Sequence, residues 1–501
     1  MDADRPARVI RGFSAFFAGA RPSESEPAES VLELFHRVAT TVPAYRKFLS
    51  EHGVEPAAVT TLDDFHRLPV TDKPNYHERF PLPELCRDGR LDGCDIVSLS
   101  SGSSGRPTVW PRSLEDELHV SRRFEQVFDV FGVRERSTLV VVCFPLGTWV
   151  GGLFTIACVR HLAAKGYPIT VVAPGNNKAE ILRVLPELAG HVEQIVLSGY
   201  PPFVKDVVDT GLAAGFDWSR HAVKLLLAGE VFSEEWRDLV ARRLGMNDPV
   251  RDTASLYGTA DAGVLGNETP LSVSIRRFLA GRPDLARELF GDSRLPTLVQ
   301  YDPTSRYFEQ VGGTLLFSAD NGIPLIRYHI ADEGGLVSAA DMRAFCAANG
   351  FVPEFDGRGS GTDGAGPDRF GPDRFGDLPF VYVFGRSMFT VSFFGANVYP
   401  ENIAVGLEQP GISDWVTGKF VLETVTDADE NPALRVTVEL APGRTVAADA
   451  VAVSIRDQLL RLNSEYANYV PAGRQLPLVT LLPAGDATYF PTGVKHRYTR
   501  P

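Results

Sequence analysis

The chain has 501 residues, too many for one hydrophobic core, so two or more domains are expected. Its 44% hydrophobic and 23% charged content is that of an ordinary soluble globular protein. The net charge of −13 excludes a general nucleic-acid binder and a partner for anionic membrane surfaces, but leaves room for a local basic pocket. Five cysteines (Cys86, Cys94, Cys143, Cys158, Cys346), odd in number and without a C-x-x-C pair, fit a reduced cytoplasm and give a metal centre no support.

Residues 1–20 mix Asp, Arg and short apolar pieces, so neither a signal peptide nor a membrane span is expected. Residues 21–29 read as an exposed turn or linker. Between 30 and 51, Val31, Leu34, Phe35, Val38, Tyr45 and Phe48 recur at helical spacing, with a break near Pro43. Thr61-Leu62-Asp63-Asp64-Phe65 looks like a short capped helix, ended by Leu68-Pro69-Val70-Thr71-Asp72-Lys73. Strands are expected at 139–144, 169–173, 195–198 and 223–227, alternating with helices at 151–164, 179–188, 203–212 and 234–244. Such alternation predicts a largely parallel sheet covered by helices, with ligands at the carboxyl ends of its strands. Strands at 315–318 and 325–328 flank Asn321-Gly322, a hairpin turn signal. Residues 355–378, rich in Gly and Asp, read as a surface insertion. Order resumes at 378–384, and strands at 420–423, 434–440 and 478–482 with a helix at 451–462 predict a small α+β domain.

The chemistry concentrates in a few segments. Ser98-Leu99-Ser100-Ser101-Gly102-Ser103-Ser104-Gly105-Arg106-Pro107-Thr108 carries six hydroxyls, two glycines and an arginine. Glycine lets backbone N–H groups approach an anion, and hydroxyls add donors, so the loop suits a polyphosphate. It is not a Walker A loop, because only two residues separate Gly102 from Gly105. A flexible Ser/Gly linker is the alternative. The expected strand tips read Phe144-Pro145-Leu146-Gly147, Ser198-Gly199-Tyr200-Pro201, Ala228-Gly229-Glu230 and Tyr257-Gly258-Thr259-Ala260-Asp261.

Taken in order, the Ser/Thr/Gly loop, Ala-Gly-Glu, Tyr-Gly-x-x-Asp, Arg-Tyr-x-x-x-Asp, Gly-Arg, Gly-x-Asn-Val-x-Pro and a final Gly-x-Lys resemble the AMP-forming adenylate ligases. The branch they are most similar to is that of the phenylacetate–CoA ligases. Val42-Pro43-Ala44-Tyr45-Arg46 and Leu62-Asp63-Asp64-Phe65-x-x-Leu68-Pro69-Val70-Thr71-x-Lys73 match that branch's amino-terminal pattern, so the resemblance covers nearly the whole chain. It implies ATP-dependent activation of a carboxylic acid to an acyl adenylate with release of pyrophosphate, then acyl transfer. The cofactors implied are ATP, Mg²⁺ and CoA.

By the same resemblance, Ser101, Gly102, Ser103, Ser104, Gly105, Arg106 and Thr108 lie over the β- and γ-phosphates. Gly229, Glu230, Tyr257, Gly258 and Thr259 form the adenine edge, with Tyr257 stacked on the base. Asp261 matches the acidic Mg²⁺ ligand, and a helix N-cap is its alternative. Asp332 matches the carboxylate that accepts both ribose hydroxyls, and Arg386 the arginine near the ribose and α-phosphate. Lys495 matches the lysine that bridges acid and α-phosphate, where a basic tail is the alternative. Phe144, Trp149, Gly151, Gly152 and Tyr200 offer a flat, apolar acid slot, or core beneath the sheet.

Two departures bear on the acceptor. Relatives read Gly-Arg-x-Asp at the hinge, whereas this chain reads Gly385-Arg386-Ser387-Met388, and Phe394 replaces a usual arginine. The adenylation residues are kept and the segment that swings for thioester formation is altered. An amine, hydrazine or carrier-protein thiol therefore stands beside CoA as acceptor. The expected fold is α/β: a large domain over 1–386 with mainly parallel sheets flanked by helices, and a small mobile α+β domain over 387–501 carrying Lys495. A cytoplasmic enzyme without nucleic-acid or membrane partners is expected, with a homodimer as one assembly. A contrasting class, a protein that senses an adenylate without turnover, is opposed by the joint presence of Lys495, Asp332 and Asp261.

Overall fold

The run Thr138-Leu139-Val140-Val141-Val142 is buried along its whole length, as a strand covered on both faces must be. A computed structural model of the chain describes residues 5–19, 26–99, 108–351, 378–386, 391–394, 396–426, 432–463, 466–467, 470–491 and 496–499. The phosphate-loop residues Ser101 to Arg106, nearly all of the 355–378 insertion, the hinge residues Ser387 and Met388, and Lys495 lie outside the described residues.

In chain order the strands are β1 (Ile96–Leu99), β2 (Val109–Arg112), β3 (Thr138–Val142), β4 (Ile169–Val172), β5 (Gln194–Gly199) and β6 (Ala222–Ala228). Next come β7 (Thr253–Thr259), β8 (Gly263–Asn267), β9 (Thr297–Gln300), β10 (Arg306–Val311), β11 (Thr314–Ala319), β12 (Leu325–Val337) and β13 (Phe380–Arg386). The last five are β14 (Val391–Phe393), β15 (Ala396–Val398), β16 (Val416–Thr426), β17 (Pro432–Leu440) and β18 (Leu478–Leu482).

Eleven of these form one sheet, in the order β10-β11-β12-β13-β9-β8-β7-β6-β5-β3-β4. The parallel character expected from the strand–helix alternation holds for β3 to β7. From β8 onward the pairing is antiparallel, so the sheet is mixed. Helices Leu114–Val130 and Val150–Ala164 bury their apolar stripes on one face of the parallel half. Helices Lys178–Ala189, Pro201–Ala213 and Glu234–Leu244 cover the other. Helices Pro27–Thr41 and Pro43–Glu51 pack over β10 to β12. The C-terminal residues build a separate three-stranded sheet, β16-β17-β18, against helices Pro400–Leu407 and Ala448–Leu462.

Residues 5–17 form a helix, whose Phe16 is buried and whose Phe13 meets the ring of His161 edge-on. Two sequence expectations need correcting. The described end of the supposed 21–29 linker is helical, since the next helix starts at Pro27, where proline's fixed φ suits a first turn. The strand expected at 325–328 runs on to Val337 across a bulge at Glu333 and Gly334. Thr61 and Asp64 form the expected reciprocal cap.

Beneath the tips of β6 and β7 lies a buried charge network. Arg237, fully buried, holds Glu234 at 2.9 Å and Glu268 at 2.8 Å, and Arg276 reaches the same two carboxylates at 3.0 and 3.3 Å. Glu268 also accepts from the backbone N–H of Ser255 in β7 at 2.8 Å, which fixes that strand's edge. Removing one member strands the other charges without water, at a cost of about 3–5 kcal/mol. Arg237→Met is expected to lose that much unfolding free energy in urea titration, with the site formed by β6 and β7 disturbed as well.

Candidate active site

The carboxyl ends of β3, β5, β6 and β7 lie along one edge, as parallel pairing requires, and bring the four tip segments together. Across from them runs β12. Two buried hydrogen bonds join β12 to the β7 tip. Tyr257 of β7 donates its hydroxyl to Asp332 of β12 at 2.7 Å, and Tyr328 of β12 donates to Asp261, just past β7, at 2.9 Å. Asp261 and Asp332 are 3% and 6% exposed, so each carboxylate needs a donor, and each finds it on the opposite element. Asp261 leads into a turn before β8 and caps no helix, which removes the N-cap alternative. Arg386 is the cross-strand partner of Asp332 in the β12–β13 register.

The amino-terminal motif closes this corner. Thr71 pairs with Tyr328: its N–H donates to Arg327 O at 3.1 Å and its carbonyl accepts from His329 N at 2.8 Å. That pairing delivers Lys73, whose ammonium stands 3.5 Å from Asp261. Arg112, buried at the end of β2, donates to the backbone carbonyls of Ala260 and, at 2.8 Å, of Asp261. His77 packs on the ring of Trp110 (centroids 4.2 Å apart), and burial pushes its imidazole below the usual range. Sequence reasoning did not single out Lys73, Arg112 or Tyr328. The Thr71-x-Lys73 spacing was the available signal for the first.

At the β6 tip, Gly229 has φ +85°, and a Cβ there would sit 2.6 Å from the Tyr200 ring, so only glycine allows this approach. Tyr200 in turn meets Phe144 edge-on at 5.2 Å. Burial, and then the neighbouring Glu230 charge, push the Tyr200 phenol up to about 12. Glu230 accepts a hydrogen bond from Tyr498, near the chain's end.

Of the acid-slot residues, Phe144 is 1% exposed and sits in the core beneath the sheet, meeting the site only through Tyr200. Trp149, half-buried, bridges to Leu99 at the end of β1, which places it where the phosphate-loop segment begins. Gly152 lies so close to Pro145 O that a Cβ would come within 2.4 Å, while Gly151 lies against Phe144. A Cβ on Gly258 would meet Gly263 O at 2.6 Å, and the Thr259 hydroxyl accepts from Ala262 N at 3.1 Å, so both hold the β7–β8 turn. Thr108, half-buried, immediately precedes β2. Among the described residues no group of three or more His, Cys, Asp or Glu side chains could hold a metal ion. Asp261 offers a single hard oxygen ligand, and Mg²⁺ is commonly held by one or two carboxylates together with substrate phosphates.

The arrangement gathers strand tips and one further strand, with two oriented carboxylates, two buried tyrosines and a lysine. A search of solved structures finds the same fold. 2-Hydroxyisobutyryl-CoA ligase in the postadenylation state with R3-HIB-AMP superposes with a TM-score of 0.65 at 15% identity, covering 94% of this chain and 88% of that one. Its open form with 2-HIB-AMP and CoA gives a TM-score of 0.52, covering 94% and 90%, again at 15% identity. The chain has the fold of the AMP-forming acid–CoA ligases. In sequence it is similar to the phenylacetate–coenzyme A ligase of Thermus thermophilus, 23% identical over 313 residues. That match takes in 61% of this chain and 63% of that relative's length. No protein-family profile matches the chain. The resemblance read from the motifs to this ligase superfamily therefore holds.

The Tyr257–Asp332 bond can be weighed directly. A hydrogen bond to a charged group contributes about 1.5–3 kcal/mol. Tyr257→Phe, Asp332→Asn and the double variant, unfolded in urea, are expected to give a coupling energy in that range. Additive losses would mean the two side chains do not meet in solution.

Proposed function

We propose that this protein activates a carboxylic acid with ATP, forming an acyl adenylate and pyrophosphate, and then transfers the acyl group to CoA. The observation that carries the reading is the exchanged pair of Tyr–Asp hydrogen bonds, because it fixes two carboxylates at the strand tips where this fold binds ligands. In this reading Asp332 accepts the ribose hydroxyls, and the Tyr257 ring, held by its own bond to Asp332, stacks on adenine along Gly229, Glu230, Gly258 and Thr259. Arg386 lies near the ribose and α-phosphate, which its register opposite Asp332 supports. Residues 101–106 and Thr108 cover the outer phosphates. Asp261 supplies the oxygen to which Mg²⁺ would bind, and that ion would neutralise phosphate charge. The Lys73 ammonium beside Asp261 adds a second positive charge on the same side. Trp149, Gly151, Gly152 and Tyr200 face an aryl or similar acid, with Phe144 behind them.

The reaction must bring two anions together, and the attacking oxygen needs a cation at the moment of bond formation. We assign that charge to Lys495. The residues that follow it support the assignment. His496 contacts Phe420 O at 2.7 Å, Leu422 N donates to Tyr498 O at 2.7 Å, and Tyr498 reaches Glu230 at the β6 tip. The tail is thus anchored both to the small sheet and to the proposed adenine edge. We place the domain boundary at 386/387, with the small domain turning between the two half-reactions and the cytoplasm as its place of action.

The altered hinge at Met388 supports a second reading, in which the acyl group passes to an amine, hydrazine or carrier-protein thiol. Pyrophosphate release with a panel of aryl and short hydroxy acids, with and without CoA, separates the two. Acyl-CoA formation supports the first reading, and adenylate formation with no acyl-CoA supports the second. No acid-dependent release with any acid would contradict both. Lys495→Ala is expected to lower adenylation by about 10²–10³-fold while ATP affinity stays nearly unchanged. Asp332→Ala is expected to weaken ATP binding by about 10–100-fold, read by calorimetry.

A further inference from the structure

We propose that the cavity between helix Pro27–Thr41, helix Leu114–Val130 and strands β10 and β11 is a second binding site, for a small polyanion bearing carboxylate or phosphate groups. The cavity has a volume of about 230 Å³, and its walls include Ser30, Arg37, His119, Ser305, Arg306 and Asp320. Water fills liquid at about 30 Å³ per molecule, so this space equals roughly seven waters and admits a small metabolite. Its lining includes none of the strand-tip residues described above.

Arg306 makes the case. It is 5% exposed, yet its guanidinium makes one hydrogen bond, to its neighbour Ser305 O at 2.9 Å. Its Nε has no partner, and among the described residues no carboxylate lies within 4.0 Å of it. Buried arginines are otherwise paired, because an unpaired buried charge is expensive. Two further buried atoms without partners lie beside it: Ser30 Oγ on the wall, and Arg123 Nη1 one helical turn from His119.

Of the protein's own acids, Asp116 acts on Arg306 through its charge but accepts its hydrogen bonds from Ser113 N and Gly322 N. Asp320 is taken by Arg37 at 2.8 Å and by Arg87. Asp302 accepts from Thr304 N at 3.0 Å and Thr304 Oγ1 at 2.7 Å, and lies 3.8 Å from Arg123. Glu33, also on the wall, acts on Arg37. The balance left around His119 is positive: burial first, then Arg306 and Arg122, push its imidazole down to about 4. An anion would supply the hydrogen-bond partner that Arg306 lacks, and a second anionic group would share Arg37 with Asp320 at the rim, where the arginine side chain is 48% exposed. Two arginines on one wall fit a ligand with two charged ends better than a lone halide or phosphate.

Calorimetric titration of the full chain with citrate and, separately, with pyrophosphate tests this, each at constant ionic strength with and without saturating ATP. Saturable binding of either probe that persists with ATP is expected, weakened about tenfold or more by Arg306→Gln. Arg37→Gln, at a half-exposed position, is expected to weaken it several-fold and keeps the test open should the buried variant fold poorly. The His119 ring resonances should shift with the same saturation curve. Binding of citrate alone assigns a carboxylate ligand, and of pyrophosphate alone a phosphate ligand. No saturable binding, binding displaced by ATP, or affinities unchanged in Arg37→Gln would overturn the proposal.

Discussion

The site rests on one constraint: two carboxylates are buried where water cannot solvate them, and each takes a hydrogen bond from a tyrosine of the other's segment. Asp261 and Asp332 each follow a tyrosine by four residues, in Tyr257-x-x-x-Asp261 and Tyr328-x-x-x-Asp332. The two motifs exchange donors, Tyr257 serving Asp332 and Tyr328 serving Asp261. Burying a carboxylate without a partner costs several kcal/mol, so neither motif is stable until the other arrives. The parallel and antiparallel parts of the sheet are thereby locked at one point. The Thr71–Tyr328 bridge adds the amino-terminal segment to the same lock, and with it Lys73.

Backbone geometry near this point carries strain. Arg327 and Ala331 have φ of +46° and +60°. Side chains other than glycine pay for that region, and such residues persist where surrounding contacts over-determine them. Arg327 shows how: its buried guanidinium holds Glu309 through two nitrogens at 3.0 and 2.9 Å, and also reaches Leu68 O.

The small C-terminal sheet is held to the large one by polar contacts. Buried Lys205 donates to Val416 O at 3.1 Å, Arg243 pairs with Asp414 at 2.9 Å, and Ser233 bonds Glu408. Burial raises the Glu408 carboxyl to about 7. An interface of hydrogen bonds and ion pairs parts more readily than an apolar one of the same size.

Periodicity made the parallel half of the sheet legible. The helix expected at 234–244 is Glu234–Leu244, and the strand expected at 478–482 is Leu478–Leu482. The antiparallel strands β8 and β9 were not, because short strands with glycine, such as Gly263-Val264-Leu265-Gly266-Asn267, show no alternation. Helix Leu114–Val130 was missed because charged residues that sit buried in it, Asp116, Arg123 and Glu125, disrupt its apolar stripe. At the strand tips, order along the chain singled out Asp261, Asp332 and Tyr257, which the structure brings into one corner. It did not reveal that Tyr328 and Lys73 complete them, since a contact across 67 residues has no local signature. The most direct measurement is a crystal structure with ATP and a candidate acid bound. The account predicts nucleotide density at the tips of β6 and β7, with the ribose hydroxyls on Asp332. Nucleotide bound elsewhere, or Asp332 facing no ligand in every crystal form, would contradict it.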